Sequence, residues 1–400
     1  MIKRFVYAFL FFVVLESLFI SMALKLYKIN NYLFGLILVY SLFTYIFLGV
    51  KVFGYDRSIG VNHSFYWALS LFLLQFIPKL ILVSFWLLVS LFVIPLQSFP
   101  NVVNPSRKLF IGQLGLIISS IPFSGFLYGL IKGKYDFKIF KEKLIFKDLP
   151  SAFNGLKILQ ISDIHSGSFD SPSAIEKAIS LINDQDFDLF LFTGDIVNTK
   201  AEEMHPWLDM FKKIKEPRYG KFSVLGNHDY GVYIDWPSDK DKLDNFNAIK
   251  DLHSKLNFKL LLNDHVKLKN GNDSISLLGV ENWGHSFAKL GDLDKALNGV
   301  DSDDFKILMS HDPSHWEHVV KDHHSSIHLT LSGHTHGLQM GVEIPGFIKW
   351  SPIKYVYKYW AGLYEENERK LYVNRGFGFH GFSGRVGIWP EITVLELLNS

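Results

Sequence analysis

The chain has 400 residues, more than one ordinary compact domain holds. Its formal net charge of +2 argues against a general nucleic-acid binder. The absence of Cys excludes disulfides, Cys-ligated zinc and thiol catalysis.

Charge is spread unevenly. Between Phe5 and Ile131 the only charged residues are Glu16, Lys25, Lys28, Lys51, Asp56, Arg57, Lys79, Arg107 and Lys108. A membrane crossing needs about 20 predominantly apolar residues. Phe5–Leu24, Tyr32–Val50 and Leu109–Ile131 meet that need. Phe65–Leu96 is long for one upright span and short for two, with Pro78-Lys79 at its middle. It reads as one tilted or kinked helix, because Pro is tolerated in membrane helices. Residues 1–131 are therefore expected to form a multi-pass α-helical membrane domain with four transmembrane helices. The first span is too long for a cleaved signal peptide and no small-residue cleavage site follows it. Glu16 and Lys79 both fall within spans, where an ionisable residue is a functional candidate. The simpler reading is a structural pair, or one side chain reaching to the interface.

Lys132, Lys134, Lys138, Lys141, Lys143 and Lys147 follow the last span and make 132–153 a basic linker. The earlier loops carry two basic residues each and do not discriminate. The later cluster puts the C-terminal domain in the cytoplasm, as part of an integral, bacterial-type inner-membrane protein. Five spans instead of four would put it on the side opposite the N-terminus.

From 154 to 400 the pattern alternates. Strands are expected at Leu156–Ile161, Leu189–Thr193, Lys221–Leu225, Phe305–Ser310, Ile327–Ser332, Lys370–Asn374 and Ile392–Leu397. Leu260–Lys269 and Ser274–Val280 flank a turn at Asn270-Gly271. Helical spacing marks Ser173–Asn183, and Trp207–Ile214 reads as a helix. Strands separated by helices give an α/β layered domain with its functional groups at the carboxyl ends of strands.

Five strand ends carry metal-ligand side chains: Asp163-Ile164-His165, Gly194-Asp195, Gly226-Asn227-His228-Asp229, His311 and Gly333-His334-Thr335-His336. Residues two apart on an extended stretch share one face, so Asp163 with His165, and His334 with His336, can each bind together. Asp195 follows a glycine that permits a sharp turn, which suits a carboxylate bridging two ions. Asn227 adds a neutral oxygen that limits negative charge. Carboxylate, amide and imidazole together suit two hard-to-borderline divalent metals and a two-metal hydrolase. His315, His318, His323 and His324 are expected on a solvated helix and loop. Glu281-Asn282-Trp283 either lines a substrate cleft or packs a Trp beside a turn. Arg375 and Arg385 either bind a second phosphate or pair with acidic residues. Residues 344–364 interleave Trp, Tyr and Phe with Lys, as at a membrane interface.

The ordered series Asp-x-His, Gly-Asp, Gly-Asn-His-Asp, His, Gly-His-Thr-His resembles the calcineurin-like metallophosphoesterase superfamily. Asn374-Arg375-Gly376 and Trp389-Pro390-Glu391-Ile392-Thr393 look like its membrane-associated branch, similar to UDP-2,3-diacylglucosamine pyrophosphatases and related phosphodiesterases. The resemblance implies a four-layer αββα sandwich holding two divalent metal ions, with Mn²⁺ favoured on family grounds and Fe or Zn²⁺ compatible. It implies one metal held by Asp163, His165, Asp195 and His336, and a second by Asp195, Asn227, His311 and His334. It gives His228 a place facing the phosphate, oriented by Asp229. The usual Gly-Gly-Gln reads Gly337-Leu338-Gln339 here, which adds bulk beside the site. The expected activity is hydrolysis of a phosphodiester or pyrophosphate in a lipid-linked nucleotide. Its expected partners are the lipid bilayer and a phosphoester substrate, with no nucleic acid and no obligate protein. A membrane-anchored phosphodiesterase for soluble nucleotides and a catalytically silent metal-binding scaffold stay open beside it.

Overall fold

The computed structural model describes residues 2–24, 31–96, 105–344 and 346–400; the side chains of 2–9, 92–96 and 105–109 are outside it. Lys25 and Lys28, and the side chains of Arg107 and Lys108, therefore lie outside the described residues. The chain divides into one unit of residues 1–55 and 64–130 and a second of 56–63 and 131–400.

The first unit consists of α1 (Ile2–Met22), α2 (Asn31–Phe53), α3 (His63–Leu96) and α4 (Pro105–Ile131). In hydrocarbon every backbone polar group must be satisfied within the segment, so apolar runs of this length become helices. Among the described residues, Asn31–Phe53, His63–Leu91 and Phe110–Ile131 are long and apolar enough to cross a membrane. The described side chains of α1 add a shorter apolar stretch, Leu10–Met22. α3 runs from His63 to Leu96 as one helix through Pro78. Its Lys79 Nζ donates to Glu16 Oε1 at 2.7 Å and also to Ser41 Oγ. The Tyr45 hydroxyl donates to the same Glu16 oxygen at 2.9 Å. The two intramembrane charges thus form a pair, with α2 supplying hydroxyls on the same carboxylate and ammonium. Leu36, Val39 and Leu42 stand exposed on α2, as lipid-facing residues do.

The second unit is built on two six-stranded sheets. Sheet one runs β1 (Lys138–Phe146), β14 (Glu391–Asn399), β2 (Leu156–Ile161), β3 (Leu189–Phe192), β4 (Lys221–Ser223) and β5 (Phe258–Leu260). Sheet two runs β12 (Gly362–Glu366), β13 (Arg369–Val373), β9 (Leu329–Ser332), β8 (Phe305–Met309), β7 (Asp273–Gly279) and β6 (Asp264–Asn270). A small hairpin, β10 (Val342–Ile344) with β11 (Ile348–Trp350), stands apart from both. The central strands β2–β5 and β7–β9 are parallel, and such strands are buried on both faces.

Alternation then divides the apolar side chains between layers. Ile158, Leu189 and Leu191 point between the sheets and meet Ile275, Leu277, Ile307 and Leu331. Leu159, Phe190 and Phe192 point outward, onto α5 (Pro172–Asn183) and α7 (Asp239–Lys255). Outside sheet two, Leu278, Val280 and Leu308 pack with Leu293 and Trp316 of the short helices α8 (Leu293–Leu297) and α9 (Ser314–His318). The result is the four-layer αββα sandwich.

Several elements differ from the sequence expectation. The segment read as a basic linker contains β1, which pairs in parallel with β14 along its whole length. Lys138, Lys141 and Lys143 are exposed on it while Leu144 and Phe146 are buried, as on an edge strand protected by Lys. The single strand expected over Leu260–Lys269 is two: β5 closes sheet one, and β6 opens sheet two. The helix expected at Trp207–Ile214 is a single turn, α6 (Leu208–Phe211), entered by a 3₁₀ stretch. The polar α7 has no counterpart in the expected elements. Residues 56–63 fold with this second unit: the amide of Asp235 donates to the Arg57 carbonyl at 3.0 Å, and Arg57 Nε lies 3.0 Å from Asp235 Oδ1.

Candidate metal centre

The ligand stretches lie at the carboxyl ends of strands from both sheets. Asp163 and His165 follow β2, Asp195 follows β3, and Asn227, His228 and Asp229 follow β4. His311 follows β8, and His334 and His336 follow β9. Glycines let these turns approach one another. A Cβ on Gly226 would come within 2.2 Å of Asp195 Oδ1, and one on Gly333 within 2.2 Å of Asp163 Oδ2.

The turns bring the donors into two clusters, Asp163/His165/His336 and Asp195/His311/His334, each with its donor atoms within 4.8 Å of one another. In the first, His336 Nε2 is 3.3 Å from Asp163 Oδ1. In the second, His311 Nε2 is 3.1 Å from Asp195 Oδ2, and His334 Nδ1 is 3.3 Å from His311 Nε2. Asp195 also joins the clusters, because His165 Nε2 is 3.5 Å from its Oδ2. Asp163 and Asp195 are fully buried. Burial opposes their ionisation, but the surrounding imidazoles, His336 beside Asp163 and His311 beside Asp195, hold both carboxyls below the usual range. Conversely, burial disfavours a charged His311, yet Asp195 draws it up to about 10.

The donor chemistry fits divalent ions. Asn227 Oδ1 is buried without a hydrogen-bond partner, a costly arrangement for an amide oxygen. The buried Asp195 Oδ2 is met by ring nitrogens of His311 and His165, which are themselves metal-ligating groups. Asn227 Nδ2 is turned away and donates to the Tyr233 hydroxyl at 2.6 Å, so its Oδ1 is the atom left for a cation. His311 Nδ1 is tied to the Thr193 carbonyl at 2.7 Å, which keeps Nε2 for the cluster.

His228 sits at the mouth, with its Nδ1 donating to the Asn198 carbonyl at 2.7 Å. Asp229 does not orient that ring. Its carboxylate accepts backbone N–H groups from Asp195, Ile196 and Gly226, each at 2.9 Å. It therefore fixes the two loops that carry Asp195 and Asn227. Burial and the Asp195 charge push its pKa up to about 7.

The two arginines are engaged within the protein rather than open to substrate. Arg375 forms a bidentate pair with Glu343, at 2.6 and 2.9 Å, and donates to Glu391 at 2.6 Å. Arg385 is completely buried and donates to the carbonyls of Arg375, Gly376 and Gly378. His315 is likewise buried rather than solvated, bonded to Ser310 Oγ at 2.9 Å and stacked on Trp283.

Four residues near the centre were not marked as site residues by the sequence. Asn198 Oδ1 accepts from His165 Nδ1 at 3.0 Å, while its backbone carbonyl holds His228. Glu203 in turn accepts the Asn198 amide at 2.6 Å. The Tyr357 hydroxyl lies 2.8 Å from His334 Nε2 and 3.3 Å from Asp312 Oδ2. His380 places its ring 4.9 Å from His165 and 4.5 Å from His228. None is spaced regularly from a ligand, so only the fold joins them.

With this geometry in hand, similarity to known proteins is informative. A family profile described as "Calcineurin-like phosphoesterase" matches residues 156–338. A second, "Probable Calcineurin-like phosphoesterase, transmembrane domain", matches residues 3–134. The chain is 28% identical over 297 residues to the "Transmembrane protein with metallophosphoesterase domain" of Danio rerio, covering 71% of this chain and 62% of that protein. It is 30% identical over 257 residues to the metallophosphoesterase YkuE of Bacillus subtilis, covering 63% of this chain and 82% of the relative. It is 27% identical over 317 residues to the UDP-2,3-diacylglucosamine pyrophosphatase LpxG of Chlamydia muridarum, covering 62% and 87% of the two. Two sheets whose strand ends converge on Asp195, preceded by apolar helices that match their own transmembrane profile, agree with these likenesses: the chain belongs to the calcineurin-like phosphoesterase family, in its membrane-bound form.

Proposed function

We propose that this protein is a membrane-anchored, metal-dependent hydrolase of a phosphodiester or pyrophosphate bond in a lipid-linked nucleotide. The observation that carries the reading is the pair of donor clusters meeting at Asp195, with Asn227 Oδ1 buried and unpartnered on the neighbouring loop. In this reading Asp163, His165, Asp195 and His336 hold one ion, and Asp195, Asn227, His311 and His334 hold the other. Mn²⁺ is the proposed metal; mixed oxygen and nitrogen donors also accommodate Fe and Zn²⁺. When bound, such ions supply Lewis acidity toward phosphoryl oxygens and activate water. His228 keeps a proton on Nδ1 for Asn198, so Nε2 is the ring atom left to face the phosphate; a second proton there, taken up from the attacking water or from solvent, is what it would pass to the leaving oxygen. Asp229 acts on the loops beneath, by holding the Asp195 and Gly226 amides.

Two observations support a lipid-linked substrate. Phe347, Tyr355 and Val356 stand 85%, 75% and 76% exposed beside Lys354 and Lys358, a composition suited to a bilayer interface. The name of the Chlamydia relative also joins two acyl groups, a nucleotide and a pyrophosphate bond. We extend the proposal to topology: a membrane domain over 1–131, the basic segment 132–153 contributing β1, and a metallophosphoesterase domain over 154–400 facing the cytoplasm of a bacterial-type inner membrane.

The test is product release by the Mn²⁺-loaded full chain across lipid-linked and soluble nucleotides. Cleavage of the lipid-linked members at higher kcat/KM is expected. Equal or better turnover of soluble diesters would refute the lipid part. His228→Ala should lower kcat by about 10²- to 10⁴-fold with metal content unchanged. Absence of turnover in both the native chain and this variant would favour a silent metal-binding scaffold.

A further inference from the structure

Beside the metal centre lies an apolar cleft of about 420 Å³, toward the small end of ligand pockets. Val232, Tyr233, Leu243, Phe246, Phe287 and Leu290 supply most of its wall. Four of them, Val232, Leu243, Phe287 and Leu290, stand 44%, 56%, 37% and 45% exposed. Single exposed apolar residues are normal, but a group of them around one concavity marks a binding surface.

The cleft is continuous with the metal centre. Asn227 belongs to both, since it lines the cleft and its unpartnered Oδ1 is a proposed ligand atom. Tyr233 accepts from Asn227 Nδ2 at 2.6 Å and lies ring to ring with His228 at 4.4 Å. On the opposite wall Phe287 meets the His334 ring edge-on at 5.0 Å. A phosphoester at the metals would therefore have one substituent running into apolar surroundings.

One residue that lines the cleft carries a buried polar atom without a partner. Asn282 is 1% exposed and lines the pocket, and its Oδ1 has no hydrogen bond. Its other polar groups are in use. The backbone amide donates to the Tyr230 hydroxyl, the side-chain amide donates to the Ala288 carbonyl, and the Asn282 carbonyl accepts from the amides of Leu290 and Gly291. A buried unpaired acceptor is costly unless a ligand supplies a donor.

We propose that this cleft is the acyl subsite of the enzyme: it takes the first part of an acyl chain, with an amide N–H or hydroxyl near the attachment point donating to Asn282 Oδ1. The assignment rests on the phosphoesterase reading and specifies its substrate class. Two features favour an acyl chain over a nucleobase. Val232, Leu243, Ala288 and Leu290 give the wall an aliphatic share equal to its aromatic one, with Asp239 and Lys242 its charged members. Tyr230 and Phe246 stack on each other at 5.3 Å and 22°, which occupies faces that a base would use. In addition, the loop of Asp235 beside Tyr233 is braced by Arg57, from the segment that links the apolar helices α2 and α3 in sequence. A lipid tail is the apolar group such a protein meets.

The experiment measures binding of alkylphosphonates, ethyl through octyl, to the Mn²⁺-loaded full chain in nanodiscs, with empty nanodiscs subtracted. Each methylene that enters the cleft should lower Kd about fourfold over the first several carbons. Leu243→Asp and Leu290→Asp, both at exposed positions, should flatten that dependence to less than twofold per methylene. A flat series in the native chain, or an unchanged slope in both variants, would overturn the proposal. So would a nucleoside monophosphate that binds tighter than hexylphosphonate and loses its affinity in Leu243→Asp. Failure of the underlying reading looks different: no phosphoester is turned over at all, whatever the phosphonate affinities.

Discussion

Asp163, His165, Asp195, His334 and His336 all hold positive φ, between 46° and 70°. Non-glycine residues avoid that region, and each such conformation costs of order 1–3 kcal/mol. Every one of these residues is a proposed ligand, so the strain is concentrated where side chains must turn inward from strand ends. Asn198 complements them by satisfying His165 Nδ1 and His228 Nδ1 from one residue. Asn198→Ala removes the Oδ1 bond to His165 and should weaken Mn²⁺ binding about 10- to 100-fold. Calorimetric titration of the metal-free protein measures that directly. The ligands themselves were legible in the sequence because they directly follow apolar strands, although left-handed turns at Asp163, His165, His334 and His336 replace the extended geometry expected there and send His334 and His336 to different clusters. Asn198, Tyr357 and His380 were not, because their distances from the site along the chain follow no period. Arg375 is a related case: a guanidinium reads as a phosphate donor in sequence, but Glu343 and Glu391 already occupy it.

Among the elements, α7 is the one the sequence hid best. It is rich in Asp and Lys, and its buried residues are only Ile249, Leu252 and His253, a stripe too narrow to register as periodicity. His253 is fully buried, stacks on Phe192 and is bonded through Nδ1 to Ser223 Oγ at 2.8 Å. Burial pushes its pKa down to about 3, against about 6.5 in an unfolded chain. Between those values the unfolded chain binds one proton more than the folded one. Stability therefore falls as pH drops from about 6.5 to 3, by at most about 1.4 kcal/mol per unit from this residue. His253→Phe removes that contribution. In the metal-free protein, the loss of thermal midpoint between pH 7.5 and 4.5 should be smaller in the variant, as followed by Trp fluorescence. β1 was hidden for a different reason. Its Lys residues read as a solvated linker, and only the presence of β14 beside it makes the same segment an edge strand.

At the scale of the whole molecule, two sheets must pack before any metal site exists. Asp163, Asp195 and Asn227 come from sheet one, and His311, His334 and His336 from sheet two. Removal of metal leaves Asp163 and Asp195 buried beside strained backbone. Mn²⁺ at about 100 times its Kd should stabilise the fold by about 2.7 kcal/mol, seen as a thermal midpoint a few degrees above that of the EDTA-treated protein. The proposed topology can be read cleanly because the chain has no Cys. A Lys177→Cys variant, exposed on α5, should resist a membrane-impermeant maleimide in intact cells and react once they are opened; labelling of intact cells would put the domain on the other side. By itself the sequence determined that apolar spans precede an α/β domain and that metal ligands end its strands, because hydropathy and strand period are local properties. Only the tertiary structure decided which ligands meet and which charges are already paired. It also decided that an apolar cleft opens beside Asn227, because those are contacts between segments far apart in the chain, 173 residues for His336 with Asp163.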